Sequence, residues 1–143
     1  MIEIKRVTVV DEQLMVALAN LLPQLSASAT LPTQQYMEQL LAHRDTHLFV
    51  ACGESGEVVG MLTLLIVAIP TARKAWIEDV VTDAAHRGKG IGEALVRRAV
   101  EVAREEGVKR IYLTSNPKRE AAHRLYKRFG FEQYDTTIFR LEL

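Results

Sequence analysis

Three glycines alternate in Arg87-Gly88-Lys89-Gly90-Ile91-Gly92, between a strand-like run and a helix-like one. Ahead of them, Ala75-Trp76-Ile77-Glu78-Asp79-Val80-Val81-Thr82 has strand composition. Behind them, Gly90 to Glu106 sets Ile91, Leu95, Ala99 and Val102 on one helical stripe, and Gly107 is its stop. Lys109 to Thr114 is strand-like again. The stretch from Trp76 to Thr114 is long enough for a right-handed crossover between parallel strands. A sheet containing such a pair, with a glycine-built turn at one end, is the frame the rest of the chain must fit.

The rest is built from local connections. Ile2 to Val10 carries Ile2, Ile4 and the pair Val9-Val10 and predicts a short first strand. Asp11 caps a helix running to about Leu22, where Pro23 follows. Leu25 to Leu31, rich in Ser, Ala and Thr, is a loop, and Pro32-Thr33 opens a second helix with Tyr36, Leu40 and Leu41 on one face. Leu48 to Cys52 and Val58 to Ile69 form a hairpin around Gly53-Glu54-Ser55-Gly56, and Pro70 to Arg73 turns the chain into the next strand. A helix over Arg119 to Phe129 ends at Gly130, and Phe131 to Leu143 supplies one or two final strands. The order is β-α-α-β-β-β-α-β-α-β-β. It predicts an α/β fold, with residues 1–143 as a single domain: one mixed, mostly antiparallel sheet with helices on both faces. A length of 143 residues, with 48% hydrophobic and 25% charged, suits one globular domain.

Alternating glycines at a helix start let backbone approach a ligand closely and leave N–H groups pointing outward. The positive end of the helix dipole adds to this, so Arg87 to Gly92 forms a phosphate or pyrophosphate site, with Arg87 and Lys89 supplying charge. The Walker pattern G-x-x-x-x-G-K-[ST] is absent, because Lys89 is followed by Gly90. The dinucleotide pattern G-x-G-x-x-G is absent too, since the spacing here is G-x-G-x-G. The alternative is that the glycines only make a tight strand-to-helix turn.

Arg87-x-x-Gly90-x-Gly92, following Ile77-Glu78-Asp79-Val80-Val81-Thr82, resembles the acetyl-CoA signature of the GNAT superfamily of N-acetyltransferases. A second block, Ala122-His123-Arg124-Leu125-Tyr126-Lys127-Arg128-Phe129-Gly130-Phe131, resembles that family's A-x-x-L-Y-x-x-x-G-F segment. The blocks stand in the family's order, and the element order matches over nearly the whole chain. The resemblance implies a parallel strand pair that splays open, here Trp76–Thr82 and Lys109–Ser115, with the pantetheine of acetyl-CoA in the opening. Backbone groups of Val80, Val81 and Thr82 would pair with pantetheine. Amides of Arg87, Gly88, Lys89, Gly90, Ile91 and Gly92 would hold the pyrophosphate, and Asn116 would contact the cofactor arm. Where many members carry Asn seven residues before the motif tyrosine, this chain has Arg119. The run Ser115 to Tyr126 is more similar to aminoalkylphosphonate N-acetyltransferases, and Ile77-Glu78-Asp79 before the glycine loop resembles glucosamine-phosphate acetyltransferases.

Acetyl transfer to an amine requires loss of an ammonium proton, polarisation of the thioester carbonyl, and a fate for the departing thiolate. Tyr126 is the acid the resemblance implies: a phenol near pKa ~10 is protonated at neutral pH and can protonate a thiolate of pKa ~8.5. Its alternative is packing beside Leu125 and Phe129, with the phenol only anchoring the cofactor sulfur. Glu78 and Asp79 are the base candidates. Successive strand residues face opposite sides, so one of the two reaches the site, and a bulge would change which. Glu78 is preferred; the other reading pairs one carboxylate with a neighbouring cation and leaves the other solvated. His43, His47, His86 and His123 lack metal-ligand spacing. His86 reads as a loop residue by the pyrophosphate, and His123 shares a helical face with Tyr126. Lys118, Arg119, Arg124, Lys127 and Arg128 make a basic helix without interleaved aromatics, which reads as a solvated face near an anionic cofactor.

Eighteen Lys plus Arg balance eighteen Asp plus Glu, which argues against nucleic-acid binding by bulk charge. The single cysteine, Cys52, excludes an intramolecular disulfide framework and suits a reducing compartment. The N-terminus lacks the order of a signal peptide, and the longest apolar run, Met61 to Pro70, is about half a membrane span. The expectation is a cytoplasmic enzyme with a small-molecule amine substrate, acting by direct transfer through a tetrahedral intermediate, without nucleic acid, membrane or metal. A homodimer is compatible with the sequence. The competing readings are a protein lysine or N-terminal acetyltransferase and a non-catalytic acyl-CoA-binding module.

Overall fold

Two apolar faces on one set of strands organise the molecule, and the computed structural model describes residues 1–143. The strands are β1 (Glu3–Arg6), β2 (Thr46–Cys52), β3 (Val58–Ile69), β4 (Ala72–Thr82) and β5 (Ile111–Tyr112). They lie in that order in one sheet, antiparallel throughout except for the parallel pair β4–β5. The helices are α1 (Glu12–Leu25), α2 (Gln34–Ala42), α3 (Ile91–Glu105) and α4 (Glu120–Arg128), with a single 3-10 turn at Ala84–His86.

Strand alternation divides the core between the faces. Phe49 and Ala51 of β2 join Leu62, Leu64 and Ile77 against the α3 stripe Ile91, Leu95, Ala99 and Val102. Leu48, Val50 and Cys52 turn the other way, onto Leu14, Leu18 and Leu21 of α1 and Met37 of α2. Fully burying an aliphatic side chain of this kind stabilises by about 1.5–3 kcal/mol, so the two clusters hold helices on both sides of the sheet. Asp11 starts α1 by accepting from the Leu14 N–H at 2.8 Å, and Thr33 starts α2 by accepting from the Tyr36 N–H at 3.0 Å. No helix is long and apolar enough to cross a membrane.

Several boundaries differ from the sequence expectation; β4, for one, begins at Ala72, inside the expected Pro70–Arg73 turn. The first strand is only Glu3–Arg6, the part that pairs with β2. Pro23 does not end α1; it lies inside the helix, which continues to Leu25. The missing proline N–H frees only the Ala19 carbonyl, and the packing of Leu18 and Leu21 on the sheet carries the helix on. β5 is cut from Lys109–Thr114 to Ile111–Tyr112, because its ladder with β4 holds only at Ala75↔Ile111 and Trp76↔Tyr112. Finally, Phe131 to Leu143 forms no strand, and Ile138, Phe139, Leu141 and Leu143 are exposed. Strand composition alone does not make a strand; a ladder partner is needed, and a two-residue β5 offers too short a template. A hollow of about 1350 Å³ lies there, lined by Tyr112, Ile111, Phe131 and Tyr134 among others.

Candidate functional site

β4 and β5 are hydrogen-bonded partners only at their starts. Past Trp76 and Tyr112 they part, while β4 runs on to Thr82. This is the splay that the family resemblance implied. A cavity of about 170 Å³ sits in the gap, lined by Glu78, Asp79, Val80 and Ile77 from β4, and by Leu113 and Thr114 from beyond β5. Leu25, Arg119 and Tyr126 complete its wall.

β4 is irregular at the cavity. Thr63 opposes Glu78 while Met61 opposes Val81, so Leu62 of β3 faces both Asp79 and Val80. The extra residue is a β-bulge, with Asp79 in the left-handed region at φ 52. Its effect on parity is visible in the core. Ile77 and Val81 would share a face on a regular strand; here Ile77 packs in the α3 cluster and Val81 in the α1 cluster. The bulge also separates the two carboxylates: Glu78 is half-buried and Asp79 exposed. Burial, and next the charge of Asp79, push the Glu78 carboxyl above the usual carboxylate range.

Tyr126 comes from α4 and is 7% exposed, with its ring edge-on to Phe131 at 5.8 Å between centroids. Burial raises its phenol, partly opposed by the Arg119 guanidinium. The phenol and Glu78 therefore share one small cavity, each held toward its protonated form. Asn116 lines no part of that cavity. Its Oδ1 accepts from the Lys118 N–H at 2.9 Å and its carbonyl from the Arg119 N–H, so its acceptors serve the turn into α4.

The glycine loop leads from β4 into α3. Gly88 (φ 79) and Gly90 (φ 77) both take the left-handed conformation, and a Cβ on either would meet nothing within 4 Å. That open space is what a phosphate cradle needs. Gly90 is the cap of α3 and has no side chain to satisfy the first helical N–H groups. Arg87 and Lys89 are exposed beside it, while Ile91 is buried and anchors the helix start. Gly92 lies close to Thr82 and Leu125, with 3.8 Å and 3.5 Å from its Cβ position to their side chains. The donor set of backbone N–H groups and two cations fits a pyrophosphate.

Residues with no local motif also build the site. Gly60 of β3 brings α3 close: a Cβ there would stand 2.9 Å from Ile91 Cγ2 and 3.2 Å from the Val81 carbonyl. Leu25 and Arg119 line the cavity, Arg119 being the position that departs from the family pattern. Gln24, Asp83 and His86 form a bonded group under the loop. Sequence spacing carries no signal for contacts between α1 and the β4–α3 loop.

A sheet that opens along its parallel pair, with a glycine-built helix start at the end of one parted strand, defines the class of α/β fold to which the chain belongs. The chain belongs to the acetyltransferase (GNAT) family, whose model matches residues 16–131. Streptothricin acetyltransferase of Streptomyces lavendulae is 36% identical over 87 residues, covering 61% of this chain and 45% of that protein. Aminoalkylphosphonate N-acetyltransferase of Salmonella typhimurium is 38% identical over 82 residues, covering 55% and 53%. The chain thus spans about half the length of these curated relatives. An acetyltransferase structure from Trypanosoma brucei aligns over 100% of both chains with a TM-score of 0.82 and 26% identity.

Proposed function

We propose that this protein is an acetyl-CoA-dependent N-acetyltransferase acting on a primary amine of a small molecule, by direct transfer through a tetrahedral intermediate. The observation that carries the reading is the 170 Å³ cavity shared by Glu78 and Tyr126, where β4 and β5 part. Backbone amides from Arg87 to Gly92 hold the pyrophosphate of acetyl-CoA, and the free edges of Val80, Val81 and Thr82 receive its pantetheine as an added strand would pair. The thioester supplies the activated acetyl group. Glu78 accepts or relays the ammonium proton; a carboxyl raised toward neutrality is better matched to that task than an ordinary one. The amine nitrogen bonds to the carbonyl carbon, the carbon–sulfur bond breaks, and Tyr126 donates its phenolic proton to the leaving thiolate. An ordinary phenol of pKa ~10 gives its proton to a thiolate of pKa ~8.5 slightly uphill, and burial that raises the phenol also makes a thiolate in the same gap a stronger base, which keeps that difference small.

The cavity's size supports a small acceptor over a protein chain. The acceptor amine is read as lying near Glu78, Asp79 and Leu25, with cations only on the Arg119 side. The buried free thiol of Cys52 agrees with a reducing, cytoplasmic setting. The test is release of free thiol from acetyl-CoA against a panel of aminoalkylphosphonates, amino-sugar phosphates, polyamines and peptides. Turnover with a small amine and not with peptides is expected. Turnover with peptides alone would reassign the protein to the protein-acetylating class, and none with any amine would leave it a binder of acyl-CoA.

A further inference from the structure

Gln24 is the penultimate residue of α1, and both ends of its side-chain amide are bonded to the root of the phosphate loop. Nε2 donates to Asp83 Oδ1 at 2.9 Å. Oε1 accepts from the Ala84 backbone N–H at 2.7 Å. The second Asp83 oxygen lies 2.9 Å from His86 Nδ1. The backbone adds two more bonds, from the Asp83 N–H to the Val59 carbonyl and from the His86 N–H to the Asp83 carbonyl, each 2.8 Å. All of these pin the residues immediately ahead of Arg87-Gly88-Lys89-Gly90.

Beyond that root the loop has little to hold it. Arg87, Gly88, Lys89 and Gly90 are exposed, and the two left-handed glycines stand in open space. An anion cradle works by aiming its N–H groups before the ligand arrives, so its shape must come from its base. Gln24 gives that base an orientation that few side chains can reproduce, because it donates to a carboxylate and accepts from an amide at once. The Asp83 carboxyl is held below the usual range, first by Gln24 and next by His86, and so stays a charged acceptor.

The next residue links this tie to the chemistry. Leu25 lines the small cavity together with Glu78, Asp79 and Tyr126. One helix end therefore touches the phosphate loop through Gln24 and the reaction cavity through Leu25.

We propose that Gln24 is a positioning residue: by bonding Asp83 and Ala84 it holds the Gly88–Gly92 loop in its anion-binding shape and locks that loop to the Leu25 wall of the reaction cavity. Seating the phosphates then also sets the wall. The inference rests on the reading above that the loop takes the pyrophosphate of acetyl-CoA.

The experiment titrates CoA and pantetheine, the arm without its nucleotide and pyrophosphate, into wild type, Gln24→Met and Gln24→Glu. Methionine keeps the length and helix propensity of the side chain, and thermal melts verify that both variants fold. Gln24→Met loses both hydrogen bonds, and Gln24→Glu keeps the acceptor for the Ala84 N–H but replaces the donor to Asp83 with a repelling carboxylate; each should raise the Kd for CoA about tenfold, with the Kd for pantetheine unchanged. The Leu25 amide resonance should move on CoA binding in wild type and stay in place in Gln24→Met. Equal weakening of both ligands would mean a merely structural role, and unchanged CoA affinity would remove Gln24 from cofactor binding; either overturns the proposal. Wild type that binds no CoA would instead overturn the assignment of the loop.

Discussion

At the residue scale the proposed chemistry turns on Tyr126 and Glu78. Tyr126→Phe keeps the ring against Phe131 and removes one proton donor. If that donor serves the leaving thiolate, kcat should fall about 10²–10³-fold while KM for acetyl-CoA stays within a few-fold. Because burial pushes the phenol upward, the alkaline limb of the wild-type rate profile should lie above the ordinary tyrosine value of about 10 and be missing in the variant. A near-wild-type kcat would take Tyr126 out of the mechanism. Glu78 makes a prediction of opposite sign for stability and activity. Its carboxyl binds a proton more tightly in the folded chain than in the unfolded one, so ionisation destabilises the fold. That cost is absent below the usual glutamate range and complete once pH exceeds the raised value. Glu78→Gln should therefore melt higher than wild type near neutral pH, with the difference closing as pH falls toward about 4. The same variant should lose about 10²-fold or more in kcat at neutral pH and recover part of it at high pH, where free amine is abundant. Asp79→Asn is the control, since asparagine tolerates the left-handed backbone that Asp79 adopts. A larger loss there than in Glu78→Gln would transfer the proton role to Asp79.

At the scale of elements, the proposed phosphate site is the start of α3. Acetyl-CoA should raise the melting temperature of wild type by mass action. Gly90→Glu should abolish that rise, because it places a side chain and a negative charge in the open cradle and strains a φ of 77. A retained shift would mean that the loop does not carry the phosphates. Gly60 tests the same element from beneath. Its missing Cβ is what lets β3 lie against Ile91 and the Val81 carbonyl, so Gly60→Ala should push α3 outward. The expected cost is about 1–3 kcal/mol in denaturant unfolding, together with weaker CoA binding. Unchanged stability in Gly60→Ala would show that the helix start is not held by this contact.

At the scale of the whole molecule, protection should follow the sheet. β3 is paired on both sides by β2 and β4 and covered on both faces, so its amides should exchange with solvent most slowly. Amides of residues 132–143 should exchange fast, because no ladder holds them. Strong protection over Thr136 to Leu143 would instead reveal a sixth strand on β5. This segment shows where sequence reading and structure diverge. Thr-Thr-Ile-Phe-Arg-Leu has strand composition, yet pairing depends on a partner edge supplied elsewhere in the chain. Pro23 is a similar case: locally it ends a helix, but the packing of Leu14, Leu18 and Leu21 on the sheet carries α1 through it to Leu25. By contrast, the amphipathic stripe of α3, the alternation of β2 and the glycine loop are all legible in the order of residues alone. Those elements were readable from the residues alone, because periodicity and backbone sterics act within a few residues. Tertiary structure alone decided that Glu78 is the half-buried carboxylate and Asp79 the exposed one, since the bulge at Asp79 depends on the register of β4 against β3. It alone also set Arg119, Leu25 and Gln24 at the site, because burial and hydrogen bonding between segments sixty or more residues apart exist only once the chain is packed.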